Sequence, residues 1–145
     1  MKPGIASIGL AIAAIIGVTS TGVFADGPRS PAQATVKELA VRDLAGIPGK
    51  ELRMSTVEYI PGGAGHPHRH NAQVFVYVLE GTLRMQIEGS PVETLGPGDT
   101  FYEGPDDVHS IAANASQTKP AKILVFMVKD KNQPSLIPVA PNEHR

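Results

Sequence analysis

The sequence contains no cysteine, so no disulfide bond holds the fold together. Its stability has to come from packing, aided by a bound metal or a partner subunit. An excess of charge of one sign is also lacking, because 13 Lys and Arg face 14 Asp and Glu, a formal net charge of −1. This balance does not favour nucleic acid or an anionic membrane surface as a partner. No internal repeat and no phosphate-binding glycine loop are present.

The first 25 residues have the layout of a secretory signal peptide. Lys2 gives a basic start, residues 5–18 form an uncharged run rich in Ile and Ala, and Val23-Phe24-Ala25 ends in a small residue suited to cleavage. The apolar run is shorter than the ~20 residues that a membrane-spanning helix needs. We therefore expect cleavage after Ala25, export to the periplasm or the extracellular space, and no membrane span in the mature chain.

The rest of the chain is expected to be one all-β domain. Residues 26–34 predict a flexible lead-in, residues 35–130 a β-barrel, and residues 131–145 an irregular tail with three prolines. Short apolar or alternating segments separated by turn residues indicate antiparallel strands. The predicted strands are 35–44, 52–60, 74–79, 82–88, 92–95, 100–102, 108–113 and 123–129. Continuous β-branched and aromatic sequence in 74–79 predicts a strand covered on both faces.

Histidines are concentrated at two places in the predicted barrel. His66, His68 and His70 alternate along the chain, and His109 follows beyond several predicted strands. Residues two apart on a strand project to the same face, so alternating histidines can converge on one cavity. Neutral imidazole is the commonest metal ligand. The pattern predicts a site for a divalent transition metal, with Fe, Mn, Ni, Cu and Zn all compatible.

Two segments resemble the two sequence motifs of the cupin superfamily. Residues 62–81, GGAGHPHRHNAQVFVYVLEG, resemble the first motif, in which glycine, H-x-H, glutamate and glycine follow one another. Residues 98–114, GDTFYEGPDDVHSIAAN, resemble the second, with Gly98, Asp99 and His109 in place. The resemblance implies a small single-domain protein with a jelly-roll barrel. It also implies metal ligands at His68, His70 and His109, and, by analogy, a homodimer paired through edge strands.

The chain departs from the first motif at the fourth ligand, where Val74 stands in place of glutamate. Three solutions are open. Gln73 could serve through a β-bulge that shifts the register. Glu103 could swing in from the strand before His109. The interpretation favoured here is a three-histidine site open to water, with Glu103 as a catalytic general base whose proton affinity is raised by burial. His66 is a further candidate ligand on a glycine-rich loop.

A site of this kind favours an enzyme. We expect an exported, metal-dependent protein that acts on a small organic molecule, with dioxygenase-like oxidoreductase chemistry preferred over lyase or isomerase chemistry. The alternative is a non-catalytic module that binds a small ligand or a metal. The expected cavity lining consists of apolar strand residues: Phe75, Tyr77, Met85, Ile87, Phe101, Ile111 and Phe126.

Overall fold

Antiparallel strands build the part of the chain that our computed structural model describes, residues 33–139. Ten strands and no helix are present within these residues. Accordingly, none of the described segments is a helix with the length and apolar character needed to cross a membrane. The predicted signal peptide, most of the predicted lead-in and the last six residues lie outside the described range. Cleavage and export therefore stay predictions.

The ten strands form two five-stranded sheets. Their bounds are β1 Ala34–Asp43, β2 Lys50–Tyr59, β3 His68–Arg69, β4 Ala72–Glu80, β5 Leu83–Ile87, β6 Glu93–Leu95, β7 Thr100–Glu103, β8 Val108–Asn114, β9 Ala121–Asp130 and β10 Ile137–Pro138. The first sheet has the order β1-β2-β9-β4-β7, and the second has the order β10-β3-β8-β5-β6. Eight of these strands agree with the segments predicted from the sequence. Strands β3 and β10 were not predicted, because they are two residues long and too short to show a period.

The core lies between the inner faces of the two sheets. Val78 of the first sheet and Leu83 and Met85 of the second are fully buried. These residues belong to one cluster of buried side chains, mostly valine, methionine and alanine, drawn from both sheets. The all-β barrel expected from the sequence is therefore confirmed, and its inner surface is set by the two-residue period of the strands.

Strand β4 is covered on one face only, which corrects the expectation of a strand buried on both. Val74, Val76 and Val78 point inward, whereas Phe75 and Tyr77 on the outer face are 48% and 44% exposed. β-branched and aromatic residues suit a half-exposed strand as well as a buried one, so composition alone did not distinguish the two. The apolar outer face leaves a surface available to a second copy, and the homodimer stays a prediction.

The same alternation corrects the predicted cavity lining. Of the seven apolar residues expected there, Met85 alone lines the main cavity among the described residues. Phe75, Tyr77 and Phe126 lie on the outer face of the first sheet, where they border a separate surface groove. Phe101 points inward but packs in the core against the His109 ring. The cavity is therefore lined by other strand positions, described below.

The segment before the histidines is anchored by backbone hydrogen bonds. Gly62 N donates to the carbonyl of Ser116 at 2.7 Å, and Gly65 N donates to the carbonyl of Ala112 at 2.8 Å. Gly62 has a φ of 69°, a left-handed conformation that favours glycine. The glycine-rich loop thus joins β2 to β3 with its direction fixed by hydrogen bonds to β8 and to the residues that follow it.

Gly81, the last residue of the first motif, ends β4 with a φ of 78°. A Cβ there would lie 2.7 Å from Cα of Ala121, whereas at Gly89, with a φ of 81°, it would meet nothing within 4 Å. We expect Gly81→Ala to lower the free energy of unfolding by about 3 kcal/mol, from left-handed strain plus overpacking. Gly89→Ala should lower it by about 1 kcal/mol, from strain alone. Urea denaturation of both variants measures this difference, and equal losses would contradict it.

Candidate metal centre

Three histidines meet on the inner side of the second sheet. His68 on β3 pairs directly with His109 on β8, and their ring centroids lie 5.2 Å apart. His70 follows β3, and its ring meets that of His68 edge to face at 4.9 Å. His70 and His109 are 8% and 3% exposed. The convergence that alternation predicted is therefore present, although β3 itself is only two residues long.

Two backbone carbonyls orient the first two imidazoles. Nδ1 of His68 lies 2.7 Å from the carbonyl oxygen of His66, and Nδ1 of His70 makes the same kind of contact with the carbonyl of Ser135. A carbonyl oxygen only accepts hydrogen bonds, so each Nδ1 carries the proton and each Nε2 keeps its lone pair. This is the tautomer in which a histidine binds a metal through Nε2.

Burial also favours the neutral, ligating form of His68. It lowers the pKa of the His68 imidazole. The hydrogen bond to the His66 carbonyl opposes burial, the neighbouring His70 and His109 lower the pKa further, and the Glu103 charge raises it slightly, with a net lowering. A neutral ring with a free Nε2 is the form that coordinates a metal.

Glu103 occupies the place that Val74 leaves without a carboxylate. In the register of β4 with β7, Val74 is the direct partner of Glu103. Both residues are buried on the inner face, at 1% and 3% exposed. Directly opposed residues on antiparallel strands have Cβ atoms only about 5 Å apart. The carboxylate of Glu103 therefore lies one strand away from the position of the motif's glutamate and still faces the cavity. No bulge or change of register is needed.

The carboxylate of Glu103 lies among the imidazoles. Oε2 is 3.1 Å from Nδ1 of His109 and 3.6 Å from Nε2 of His70. His68, His70 and Glu103 can each offer one ligand atom within 4.8 Å of the others. Of the predicted ligands, the structure brings His68 and His70 into this compact set. His109 lies beside the set, against Glu103.

The ionisation of Glu103 differs from the sequence-based expectation. Burial alone would raise the pKa of this carboxyl, but nearby His109, followed by His70 and His68, outweighs burial, and the pKa falls below its ordinary value. The raised proton affinity invoked for a general base is therefore wrong. Glu103 is a carboxylate, the form that binds a metal, and a catalytic role for it stays a prediction.

Orphaned polar atoms show that this cluster suits a metal ion. Oε2 of Glu103 and Nδ1 of His109 are buried 3.1 Å apart without the geometry of a hydrogen bond, and the buried Nε2 of His109 has no hydrogen-bond partner. Buried polar atoms are rarely left unsatisfied, because each unmade hydrogen bond costs about 1–3 kcal/mol. A cation with vacant coordination positions would satisfy all three atoms, and the nitrogen and oxygen donors match those of transition-metal sites.

The other two candidate ligands lie outside the cluster. The Gln73 side chain is exposed on the outer face of β4, opposite in direction to Val74. The side chain of His66 is exposed at the cavity rim, and the contribution of this residue to the site is its backbone carbonyl. Neither residue replaces the missing glutamate in this structure.

The cluster opens into a cavity of about 940 Å³ inside the barrel. Most of its wall is apolar, from Val57 of β2, Val76 of β4, Met85 of β5 and Val125 of β9, among others. A space of this size holds one small organic molecule beside the histidines.

Two polar side chains and the tail also contribute to this cavity, and none of them was expected from the sequence. Tyr59 and Arg53 line it from β2, and the tail supplies Leu136, Pro138 and Val139 to its wall together with the Ser135 carbonyl. Burial and then the charge of Glu103 raise the pKa of Tyr59 to about 12. The residues of β2 could have been found from strand parity, since Arg53, Ser55, Val57 and Tyr59 share one face. The tail carries no periodic signal.

Residues 55–127, which include every residue of the cluster, match the cupin domain family. The chain belongs to the cupin family. This match covers half of the chain and confirms the resemblance carried by the two motifs. No match to a curated protein was found.

Several solved structures are similar to this cupin. A recombinant oxalate oxidase in complex with glycolate is 26% identical over 76% of this chain and 57% of its own, with a TM-score of 0.58. The DMSP lyase DddQ from Ruegeria pomeroyi DSS-3 is 24% identical over 63% of this chain and 44% of its own, at a TM-score of 0.54. The polyketide cyclase RemF from Streptomyces resistomycificus is 23% identical over 79% and 78%, at 0.57. The chain thus spans little more than half of the oxalate oxidase.

The tail contact with His70 leads to a testable prediction. A variant ending at Pro134 loses the Ser135 carbonyl, strand β10 and the bond from Val139 N to the carbonyl of Pro67. We expect its affinity for Zn²⁺ to fall about 10- to 100-fold, because the ring of His70 loses the partner that orients it. Competition with a chromophoric chelator measures this affinity.

The matched control is a variant ending at Val139, which keeps every one of these contacts. Its Zn²⁺ affinity should stay close to that of the full chain. Equal losses in the two truncated proteins, or no loss in either, would contradict a positioning role for the Ser135 carbonyl.

Proposed function

We propose that this cupin is a metal-dependent enzyme that converts a small organic molecule in its barrel cavity, with dioxygenase-like oxidoreductase chemistry. The observation that carries the proposal is the convergence of His68, His70 and Glu103 at the wall of a largely apolar cavity. We propose His109 as the fourth ligand, because its ring is buried beside Glu103 and its Nε2 atom has no hydrogen-bond partner. A bound transition metal would supply a Lewis acid able to polarise a substrate oxygen or to bind dioxygen.

The residues of the chain itself prepare the cavity for such chemistry. The apolar wall limits water around a bound substrate and strengthens electrostatic interactions there. Tyr59 keeps its phenolic proton, since its pKa is about 12, so its hydroxyl can donate a hydrogen bond to a substrate oxygen. The carbonyls of His66 and Ser135 hold two imidazoles in the ligating tautomer. The site is thus arranged before any substrate enters.

Catalysis is preferred to simple binding because the cluster faces a cavity large enough for a substrate. The similarity to an oxalate oxidase, at 26% identity, supports an oxidative reaction on a small acid. The test is oxygen uptake by metal-loaded protein with oxalate, glycolate and other small hydroxy and keto acids. We expect uptake with at least one of them and none in His68→Ala. Full metal occupancy without turnover of any compound would favour the non-catalytic binding module.

Moving the glutamate from position 103 to position 74 on the neighbouring strand tests whether the carboxylate is a metal ligand. We expect Glu103→Val to lose most of the bound metal, and Val74→Glu combined with Glu103→Val to recover at least half of it. The reason is that residues 74 and 103 are direct cross-strand partners on the same inner face. Elemental analysis by mass spectrometry, on protein purified without chelator and without a polyhistidine tag, gives the metal content.

The matched control places the new glutamate one residue away, as Gln73→Glu with Glu103→Val, where it faces outward. It should not recover metal. Glu103→Gln, which keeps the shape of the side chain, should lose metal while its unfolding stays cooperative. If Glu103→Gln and Glu103→Val both keep full metal, the site is a three-histidine one and this ligand set is wrong.

A further inference from the structure

A guanidinium group stands in the cavity wall away from the histidines. Arg53 of β2 lines the cavity, and it is the one arginine or lysine among the described residues that do so. It is also part of a row that crosses the first sheet. Arg53 pairs with Met127, Met127 with Val74, and Val74 with Glu103. Every member of this row lines the same cavity.

This row of paired residues separates the two polar ends of the cavity, Arg53 and Glu103. Arg53 and Glu103 lie three strand spacings apart, which is about 14 Å measured along the sheet. The wall between them is apolar, formed in this row by Met127 and Val74. The side chains of Arg53 and Glu103 span part of this separation, and a ligand that contacts both ends has to bridge the rest along an apolar wall.

Arg53 already binds a carboxylate in this structure. Its Nη2 atom pairs with Oε2 of Glu38, on β1, and its Nη1 atom lies 3.6 Å from Oε1 of Glu51. The side chains of Arg53 and Glu38 are 33% and 52% exposed. An ion pair this exposed contributes about 1 kcal/mol or less, so an incoming carboxylate can displace Glu38 at little cost.

The charges around Arg53 show why Glu38 is the group to be displaced. Glu51 is already bound at 3.0 Å by Lys129, which is 1% exposed and also donates to the carbonyl of Asp130. The Lys129–Glu51 pair is thus neutral by itself. Glu38 is then the counter-charge of Arg53, and when Glu38 turns into solvent the cavity wall gains one uncompensated positive charge.

We propose that Arg53 is the anion-binding residue of this cavity, which takes an elongated organic carboxylate with a second polar group at the far end. The carboxylate replaces Glu38 on the guanidinium, and the far end reaches the cluster of His68, His70 and Glu103. This second contact rests on the proposed function. Arg53 is thereby a specificity-determining residue, and oxalate, whose two carboxylates share one bond, is too short to make both contacts.

The test is isothermal titration of the full chain with linear dicarboxylates from oxalate through succinate and glutarate to adipate. We expect succinate or a longer member to bind more tightly than oxalate. Arg53→Gln should weaken that binding about tenfold or more, since charge-assisted bonds are lost. Arg84→Gln, an equal change of charge on an exposed position of β5, should leave it unchanged.

Glu38→Gln distinguishes recognition from a structural ion pair. Both Arg53→Gln and Glu38→Gln break the same pair. If Arg53 binds the ligand, their effects are opposite, and Glu38→Gln should tighten dicarboxylate binding several-fold because the competing carboxylate is gone. Weaker binding in both variants would overturn the proposal. So would unchanged binding in Arg53→Gln, or no binding of any dicarboxylate to the parent protein.

Metal content and thermal unfolding of the same samples separate this inference from the proposed function. Each titration is repeated on protein stripped of metal. If the parent protein binds no metal but still binds dicarboxylates in a way that depends on Arg53, the metal-dependent enzyme is refuted and the anion site is kept. Normal metal content with no effect of Arg53→Gln would refute the anion site alone.

Discussion

The antiparallel pairing of β4 with β7 is the constraint on which the site depends. Because side chains alternate between faces, the register that opposes Val74 and Glu103 puts both into the barrel. A shift of one residue would turn Glu103 outward and bring Tyr102 in, leaving three histidines without a carboxylate. The same register continues across β9 to β2 and brings Arg53 into the cavity. The core packing that fixes this register therefore also fixes the chemistry of the cavity.

The barrel could be predicted from the sequence because its long strands carry their own signal. Turn residues separate the segments that became β1, β2, β4, β5, β8 and β9, and the two-residue period assigned His68 and His70 to one cavity. The face of β4 could not be predicted, since Phe75 and Tyr77 are apolar yet exposed. Local composition reports a preference for strand and does not show whether another layer covers it.

The residues of the candidate site could be predicted from the sequence, but the contacts between them could not. His68, His70, His109 and Glu103 all stand out in the sequence, but their contacts are set by cross-strand pairing, which a single chain does not show. The direction of the Glu103 pKa shift shows this most clearly. Burial acts as expected, and the opposing effect comes from imidazoles on β3 and β8 and at His70. The contribution of the tail to the histidine cluster is a backbone carbonyl, which any residue at position 135 would provide.

This cupin has a valine at position 74, where the first motif has a glutamate, and a carboxylate 29 positions further along the chain, at Glu103, faces the same cavity. A survey of related barrels that scores metal sites column by column would classify this chain as a degenerate, metal-free member. If each lost ligand were scored together with its paired residue on the adjoining strand, this chain would be kept as a candidate metal-binding member. Ligand loss in the first motif of a cupin is thus informative only when the opposing position of the neighbouring strand has also been inspected.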